Sequence, residues 1–437
     1  MCKPDIDEGI PFLGEPTVTI EANKLQYEKL TQKGLAMTSL FPKDDFNFDD
    51  HICWIMHCAE GPVPNCSIRA MEDFLLKEAK PWKIDFHKDF EQLPASTKKQ
   101  VAELLGVCAE DITLTATTSA GLVLIAQGMD WEEGDEILLP AGEFPSNIWP
   151  WKALERLGVT IRQIPLWEGH KGGKDALQSA PPIAGQKFEE NLIQAISPKT
   201  KLVAASWVRF QDGIKLNLER LAEACNEKKV HLVIDGIQGA GTLPTIPKGL
   251  SAFSSGAHKG LLTPQGSGFL WTSSEFRALL KPLGSWLSVE DATNFSRPSS
   301  DINRSWKQDG SYLEQGVPNL IGCAGFNASL SYINQFSGET RLQHIQILQK
   351  ELLTALQEFP SWQREAERLM ALLKSDRLGS ILSFYFGSDT QTPANLLASG
   401  FKTGIFASAR EGYLRIALHG WHQSSDIKTI LSWLKQY

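Results

Sequence analysis

The stretch "AFSSGAHKGLLTPQGSGFLW", residues 252–271, places a single lysine among glycines and small side chains. Its two ends have the composition of short buried strands, and the run between them carries Lys259 directly after His258. A lysine in such a setting is either half of an ion pair or an amine whose pKa is lowered by desolvation, so that it can act as a nucleophile. The small residues favour the nucleophile, because they let a flat ligand approach the backbone.

The chain around this stretch predicts an α/β fold. From residue 112 onward, short apolar or β-branched runs alternate with helical stretches, as in parallel strands joined by crossover helices. The predicted strands cover residues 112–116, 135–140, 160–166, 201–208, 231–236, 250–256 and 266–272. We therefore expect a seven-stranded, mostly parallel sheet.

The alternation of strands and helices ends at about residue 325. A long amphipathic stretch, two strand-like runs and a final helical segment follow. This pattern predicts a smaller α+β domain at the C-terminus. We predict three regions: an N-terminal extension (1–50), a large α/β domain that binds the ligand (51–324) and a small C-terminal α+β domain (325–437).

Composition excludes several classes of protein. The formal net charge of the 437 residues is -8, and the basic residues are dispersed, so nucleic acid is not an expected partner. No window approaches the roughly 18 apolar residues of a membrane span, and the N-terminus lacks a secretion signal, so we expect a cytoplasmic protein without membrane contact. The 7 cysteines are widely spaced without a C-x-x-C pair, which signals neither a disulfide framework nor a metal site.

Asp235 ends the apolar strand "HLVID", and ligands of open parallel sheets bind beyond the carboxyl ends of the strands. Because Lys259 follows the next strand, both side chains are expected to meet over one crevice. An aspartate at this position can also simply cap the next turn. A helix that opens at Thr118 and Ser119 offers free N–H groups and a positive dipole end to a phosphate, although these residues can equally be plain N-caps.

Several collinear segments carry a resemblance to a known family. "VIDGIQGAGTLP" (233–244) followed by "SSGAHKGLLTPQGSGFLW" (254–271) resembles the cofactor signature of the class V aminotransferase-like enzymes, which use pyridoxal 5'-phosphate (PLP). The other matching segments are "EFPSNIWPW" (143–151), "SWVRFQDGIKLNLERLAEAC" (206–225), "EQGVPN" (314–319) and "REGYLRIALHGW" (410–421). The sequences of these segments are most similar to the isopenicillin N epimerase-like and cysteine-cystine lyase branch of the family. The resemblance implies a fold type I enzyme with helices on both faces of the sheet.

The resemblance also implies a role for each matched residue. Lys259 would be the catalytic residue, which forms a Schiff base with PLP and moves the α-proton, while Asp235 would keep the pyridine nitrogen protonated. Arg415 would bind the substrate carboxylate, the alternative being an arginine on a surface strand. Gln238 would contact the ring hydroxyl, and Phe144 would stack on the ring. The phosphate would be bound by Thr118, Ser119 and His258.

The predicted function is that of a PLP-dependent enzyme acting on an amino acid or a derivative through an α-carbanion (quinonoid). Because no cysteine follows Cys323, the mobile nucleophile that the resemblance assigns to desulfurases is missing, and a lyase acting by β-elimination or carbon-sulfur cleavage is favoured. An epimerase, an aminotransferase and a non-catalytic cofactor-binding relative stay open as alternatives. The family further implies a homodimer, although Val317 replaces a threonine that reaches the partner's phosphate in many members.

Overall fold

The computed structural model of the chain describes residues 37–437, so most of the predicted extension lies outside the described residues. The strands of this part are β1 (Cys53–Trp54), β2 (Ile112–Thr115), β3 (Glu136–Pro140), β4 (Thr160–Ile164), β5 (Thr200–Ser206), β6 (His231–Asp235), β7 (Ala252–Gly256), β8 (Gly268–Thr272), β9 (Ile381–Tyr385), β10 (Ile405–Phe406), β11 (Ser408–Arg410) and β12 (Tyr413–Ala417).

The central sheet has seven strands in the order β2-β8-β7-β6-β5-β3-β4. The pairs among β3 to β7 are parallel, whereas β8 runs antiparallel to both of its neighbours, β2 and β7. Strands β3, β7 and β8 are buried along their whole length, as expected for a sheet covered on both faces. The predicted seven-stranded, mostly parallel sheet is thereby confirmed.

The α-helices of the described residues are α1 (Asn65–Glu78), α2 (Leu93–Leu105), α3 (Thr118–Gly128), α4 (Trp149–Lys152), α5 (Glu190–Ala195), α6 (Leu218–Glu227), α7 (Ser274–Arg277), α8 (Leu320–Ile333), α9 (Gly338–Leu356), α10 (Pro360–Lys374), α11 (Gln391–Lys402) and α12 (Ser424–Leu434). Helix α3 follows β2 as predicted, but its N-cap is Thr117, whose hydroxyl accepts from the backbone N–H of Ala120. The expectation that Thr118 or Ser119 caps this helix is wrong by one residue, because the chain becomes helical at Thr118 itself.

A separate antiparallel sheet, in the order β11-β12-β9, forms the predicted smaller α+β region with helices α9 to α12. The short strand β1 pairs in parallel with β10, so residues near the described N-terminus join this C-terminal region. The backbone N–H groups of Leu40 and Phe41 both donate to the carbonyl of Gly420. The segment before the large sheet therefore packs on the chain that follows β12.

Between Met37 and Tyr437, no helix is both long enough and apolar enough to cross a membrane. Four of the free cysteines in the described part of the chain are buried, namely Cys53, Cys58, Cys225 and Cys323, and Cys66 is half-buried. Cys108, in contrast, is disulfide-bonded, a pairing that the cysteine spacing did not signal.

Candidate active site

The carboxyl ends of the neighbouring strands β5, β6 and β7 converge on one pocket. Asp235 is the last residue of β6, and Lys259 lies three residues after the end of β7. Both side chains are almost completely buried, and the charge of each affects the titration of the other. The structure thus brings the predicted pair together over one crevice, as their positions in the strand order require.

Burial sets the charge state of this pair. Desolvation lowers the pKa of the Lys259 amine, and the nearby Asp235 carboxyl only partly opposes this effect. Burial raises the pKa of Asp235 to about 7, with a further upward contribution from the charge of Glu143. A lysine with a lowered pKa is a nucleophile near neutral pH, because more of its amine is unprotonated.

An open aromatic face lies beside the lysine. The Nζ atom of Lys259 is 5.4 Å from the ring centroid of Phe144, whose side chain stays 37% exposed. The ring of Phe210 meets Phe144 edge-on at 5.1 Å. The residue before Phe144, Glu143, accepts hydrogen bonds from the backbone N–H and the hydroxyl of Ser206 at the end of β5. These bonds tie the residue next to Phe144 to the end of β5.

Gln238 offers an unused acceptor. Its Nε2 donates to the carbonyl of Cys58 at 2.9 Å, while its buried Oε1 finds no hydrogen-bond partner within residues 37–437. A buried amide oxygen without a partner costs free energy, so a polar ligand group in the crevice would satisfy it. Because the Cys58 carbonyl accepts from Nε2, Oε1 is the end of the amide that is left to accept from the hydroxyl of a ligand.

The predicted phosphate residues surround the start of α3. The hydroxyl of Thr118 accepts from the backbone N–H of Gly256 at 2.8 Å, which ties the helix to the end of β7. A Cβ atom at Gly256 would lie 3.3 Å from the imidazole of His258, so these three residues are neighbours. The Ser119 hydroxyl donates to that of Ser146 at 2.8 Å. Because the Ser119 hydroxyl already donates to Ser146, the donors for an anion at this end of α3 are the first-turn N–H groups, including that of Ser119, with the His258 imidazole beside them.

Arg415 is a buried residue of β12, with 3% of its surface exposed, so the alternative of a surface arginine is wrong. Its Nε donates to the hydroxyl of Ser408 at 3.1 Å, and its Nη1 donates to the carbonyl of Phe210 at 2.6 Å. The charge of Arg415 reaches Lys259, whose pKa it helps to lower. With two nitrogens held by the protein, the guanidinium has a fixed orientation toward the lysine side of the pocket.

The sequence assigned no site role to three residues that complete this pocket. The Cys58 thiol lies 3.6 Å from the Ser408 hydroxyl, and Cys58 influences the pKa of both Lys259 and Arg415. Phe210 contributes its ring to Phe144 and its carbonyl to Arg415. Phe210 lies in the matched segment 206–225, but its contact with Arg415 could not be read from that segment, because the three residues reach the site from different parts of the chain.

The geometry fits PLP on three counts. The paired Asp235 and Lys259 suit a ring nitrogen and an aldehyde, the open face of Phe144 suits a flat ring, and the free Oε1 of Gln238 suits a ring hydroxyl. Across residues 37–437 there is no cluster of three or more His, Cys, Asp or Glu side chains that could hold a metal ion.

Comparisons with known proteins agree with this geometry. The sequence profile of the aminotransferase class-V family matches residues 55–399. A probable cysteine desulfurase of Methanothermobacter thermautotrophicus is 24% identical over 252 residues, which cover 56% of this chain and 56% of that protein. A probable cysteine desulfurase of Pyrococcus abyssi is 24% identical over 307 residues, which cover 67% of this chain and 70% of that protein. The first match therefore spans little more than half of the relative's length.

Among solved structures, the complex of the cystine C-S lyase C-DES with its reaction product cysteine persulfide has a TM-score of 0.71 and 22% identity. The similarity covers 87% of this chain and 96% of C-DES, and at this identity it shows the fold. These matches confirm the predicted fold type I architecture, and PLP, the cofactor of the matched family, is the cofactor that the sequence predicted. The chain belongs to the aminotransferase class-V family of PLP-dependent enzymes.

Proposed function

We propose that this enzyme is a lyase that cleaves a carbon-sulfur bond of an amino acid such as cysteine or cystine. The observation that carries the proposal is that the buried Lys259 amine, with its lowered pKa, feels the charges of both the buried Asp235 carboxyl and the Arg415 guanidinium. Support comes from the similar proteins, which are named as cysteine desulfurases and a cystine C-S lyase. The predicted lyase class agrees with these names.

Each residue of the pocket contributes a distinct step. Asp235, Gln238 and Phe144 would hold the ring of PLP, which supplies an electron sink for the bond next to the α-carbon. Arg415 binds the substrate carboxylate through the side of its guanidinium that Ser408 and Phe210 leave open. Lys259 then accepts the α-proton at Nζ, because desolvation keeps part of the amine neutral.

Phosphate binding completes the proposed cofactor site. Thr118 and Ser119 contribute the first N–H groups of α3, and His258 lies at the neighbouring end of β7. The roles of these three residues, and that of Thr117 as the cap that orders the helix start, are part of the same proposal. Lys259 remains the catalytic residue, since its amine is the nucleophile that the site keeps out of water.

The chain restricts the fate of the sulfur. No cysteine lies between Ala324 and Tyr437, so we propose direct release of the sulfur product without a persulfide on a mobile C-terminal cysteine. An epimerase would instead yield an inverted α-carbon, and an aminotransferase would yield aminated cofactor. Incubation of the holoenzyme with cysteine, cystine and a panel of other amino acids, followed by mass spectrometry, separates these outcomes. The expected products are the sulfur leaving group, which is sulfide from cysteine or cysteine persulfide from cystine, and the ammonia and keto acid that water releases from the remaining enamine.

The first test removes the nucleophile. We expect Lys259→Ala to abolish both turnover and the visible absorbance of the bound cofactor, since the covalent bond between protein and PLP is lost. Lys281→Ala serves as the control, because the Lys281 side chain is 67% exposed and lies outside the pocket. Unchanged absorbance in Lys259→Ala would refute the assignment of the lysine.

We infer that two copies of this chain form a homodimer. Large apolar side chains project into solvent, which on a folded protein often marks an interface, and they include Trp82, Trp149, Phe295 and Ile302 at 79%, 65%, 67% and 92% exposure. Phe295 also packs against Phe86 at 5.4 Å, which forms an aromatic surface. An active monomer in analytical ultracentrifugation would contradict this inference. The cytoplasmic location stays a prediction.

A further inference from the structure

Two backbone carbonyls that flank Lys259 are held by groups from outside its loop. The N–H of Gly61 donates to the carbonyl of His258 at 2.7 Å. The Nε2 of His419, which follows strand β12, lies 3.0 Å from the carbonyl of Gly260. The backbone of the lysine is therefore fixed between two anchors, one from each terminal part of the described chain.

The hydrogen bonds of His419 determine which of its nitrogens carries the proton. The backbone N–H of Gly420 donates to Nδ1 of His419 at 2.8 Å, so Nδ1 must be the unprotonated acceptor. The hydrogen of the neutral ring is then on Nε2, which donates to the carbonyl of Gly260. Burial, together with the neighbouring His57, lowers the pKa of His419 well below its usual value. The ring thus stays neutral, in the tautomer that this contact requires.

Packing prevents the ring from turning away. The imidazole of His419 stacks on Trp421 with centroids 4.6 Å apart and planes inclined by 19°. The ring of His57 meets its edge at 5.1 Å, and Phe41 lies 5.9 Å away. With only 1% of its surface exposed, His419 has no solvent-facing alternative position.

The acceptor is equally constrained. A Cβ atom at Gly241 would lie 2.2 Å from the carbonyl oxygen of Gly260, and one at Gly260 would lie 2.3 Å from that of Ala240. The two backbones therefore pass as closely as glycine permits, which leaves the Gly260 carbonyl little freedom to tilt. The donor on its free side therefore fixes the backbone at Gly260, directly after Lys259.

We propose that His419 is a positioning residue for Lys259, which holds the Gly260 carbonyl through Nε2 and thereby fixes the direction of the reactive amine. This inference rests on the proposed function in that it assigns Lys259 as the nucleophile. It adds a link from the C-terminal region to the lysine loop, so that Arg415 of β12 and His419, which follows this strand, lie within five residues of each other.

The test compares three variants of the holoenzyme. His419→Phe keeps a ring against Trp421 but removes both nitrogens, whereas His419→Gln restores an N–H donor at a similar reach. We expect His419→Phe to lower kcat by about tenfold or more, with KM little changed, and to shift the pH at which the visible absorbance of the cofactor on Lys259 changes. His419→Gln should recover most of both effects. His344→Gln is the control for losing a buried histidine, since the His344 ring contacts the carbonyl of His422 rather than the lysine loop.

The proposal would be overturned if His419→Phe showed wild-type turnover and spectra, or if a folded His419→Gln did not recover them. Neither result would affect the assignment of Lys259 as the nucleophile. If the wild-type protein shows no cofactor absorbance, the proposed function fails instead, and NMR of protein with 15N-labelled histidine still tests the positioning role. A neutral His419 with its proton on Nε2 is expected there, and a proton on Nδ1 contradicts the hydrogen bond to Gly260. The same NMR measurement decides the matter if His419→Phe does not fold.

Discussion

The two halves of the pocket are built in different ways. Asp235, Gln238 and Lys259, which we propose as the cofactor side, come from 25 consecutive residues on two adjacent parallel strands and their loops. The substrate half combines Cys58 with Phe210 and with the Ser408 and Arg415 pair, which come from widely separated segments. The first half is a local motif on a rigid sheet, while the second exists only after the C-terminal region has packed.

This difference suggests how the family separates chemistry from specificity. The cofactor half performs the step that all members share, and its residues are fixed by strand ends that cannot move without disrupting the sheet. The substrate half holds Arg415 by two hydrogen bonds to other segments, so small changes in packing can reorient the guanidinium. Substitutions in the first half should therefore affect kcat and the cofactor, and those in the second should affect KM.

Asp235→Asn tests the cofactor half and has the largest expected effect. Loss of the carboxylate removes the negative charge beside the ring nitrogen, and we expect kcat to fall by about 10²- to 10³-fold, as when other transition-state charges lose their partner. The visible absorbance should remain, because Lys259 is intact. A variant with near wild-type kcat would contradict the assignment of the shared chemical step to the cofactor half.

The control for this variant is a measurement of the free energy of unfolding of the cofactor-free protein as a function of pH. Burial raises the pKa of Asp235 to about 7, so between pH 4 and pH 7 the unfolded chain ionises while the folded carboxyl stays protonated, and stability is lost as pH rises. Asp235→Asn removes this loss. Urea unfolding at pH 8 should find the variant more stable than the wild type, by up to about 4 kcal/mol, and the difference should shrink at pH 4. A variant less stable at pH 8 would contradict the raised pKa.

Arg415→Gln tests the substrate half. The loss of a charged hydrogen-bond donor costs about 1.5–3 kcal/mol, so we expect kcat/KM to fall by about 10- to 100-fold, mainly through KM. Steady-state kinetics and the absorption spectrum measure the two halves separately. Arg410→Gln is the matched control, because Arg410 lies in the adjacent strand β11 but is exposed. If Arg415→Gln also loses the cofactor absorbance, the halves are not independent.

Ser408→Ala has the smallest expected effect. It removes the acceptor that orients Nε of Arg415, but Ser408 is only half-buried, so water can take over this contact and the net cost should be about 1 kcal/mol. KM should therefore rise by about three- to tenfold with kcat unchanged. Ser408→Thr, which keeps the hydroxyl, should restore KM. If Ser408→Thr also shows a raised KM, packing rather than the hydroxyl controls the arginine.

The sequence was sufficient for the parts of the fold that depend on local patterns. The predicted strands at 231–236 and 266–272 agree with β6 and β8 to within two residues, because each is a short apolar run closed by polar or small residues. The antiparallel direction of β8 was not predicted, because the hydrophobic pattern of a strand does not depend on the direction in which the strand runs. The N-cap of α3 was missed by one residue because Thr117, Thr118 and Ser119 are all capable of capping.

By itself the sequence determined the family, the cofactor and the candidate lysine, because these depend on motifs whose residues are neighbours along the chain. Only the tertiary structure decided that Arg415 is buried, that Ser408 and Phe210 hold its guanidinium, and which nitrogen of His419 carries the proton. Those features arise from contacts between segments as far apart as 205 residues, and no spacing within one segment encodes them. The physical reason is that side-chain direction and burial belong to the packed core, which forms only when the distant segments meet.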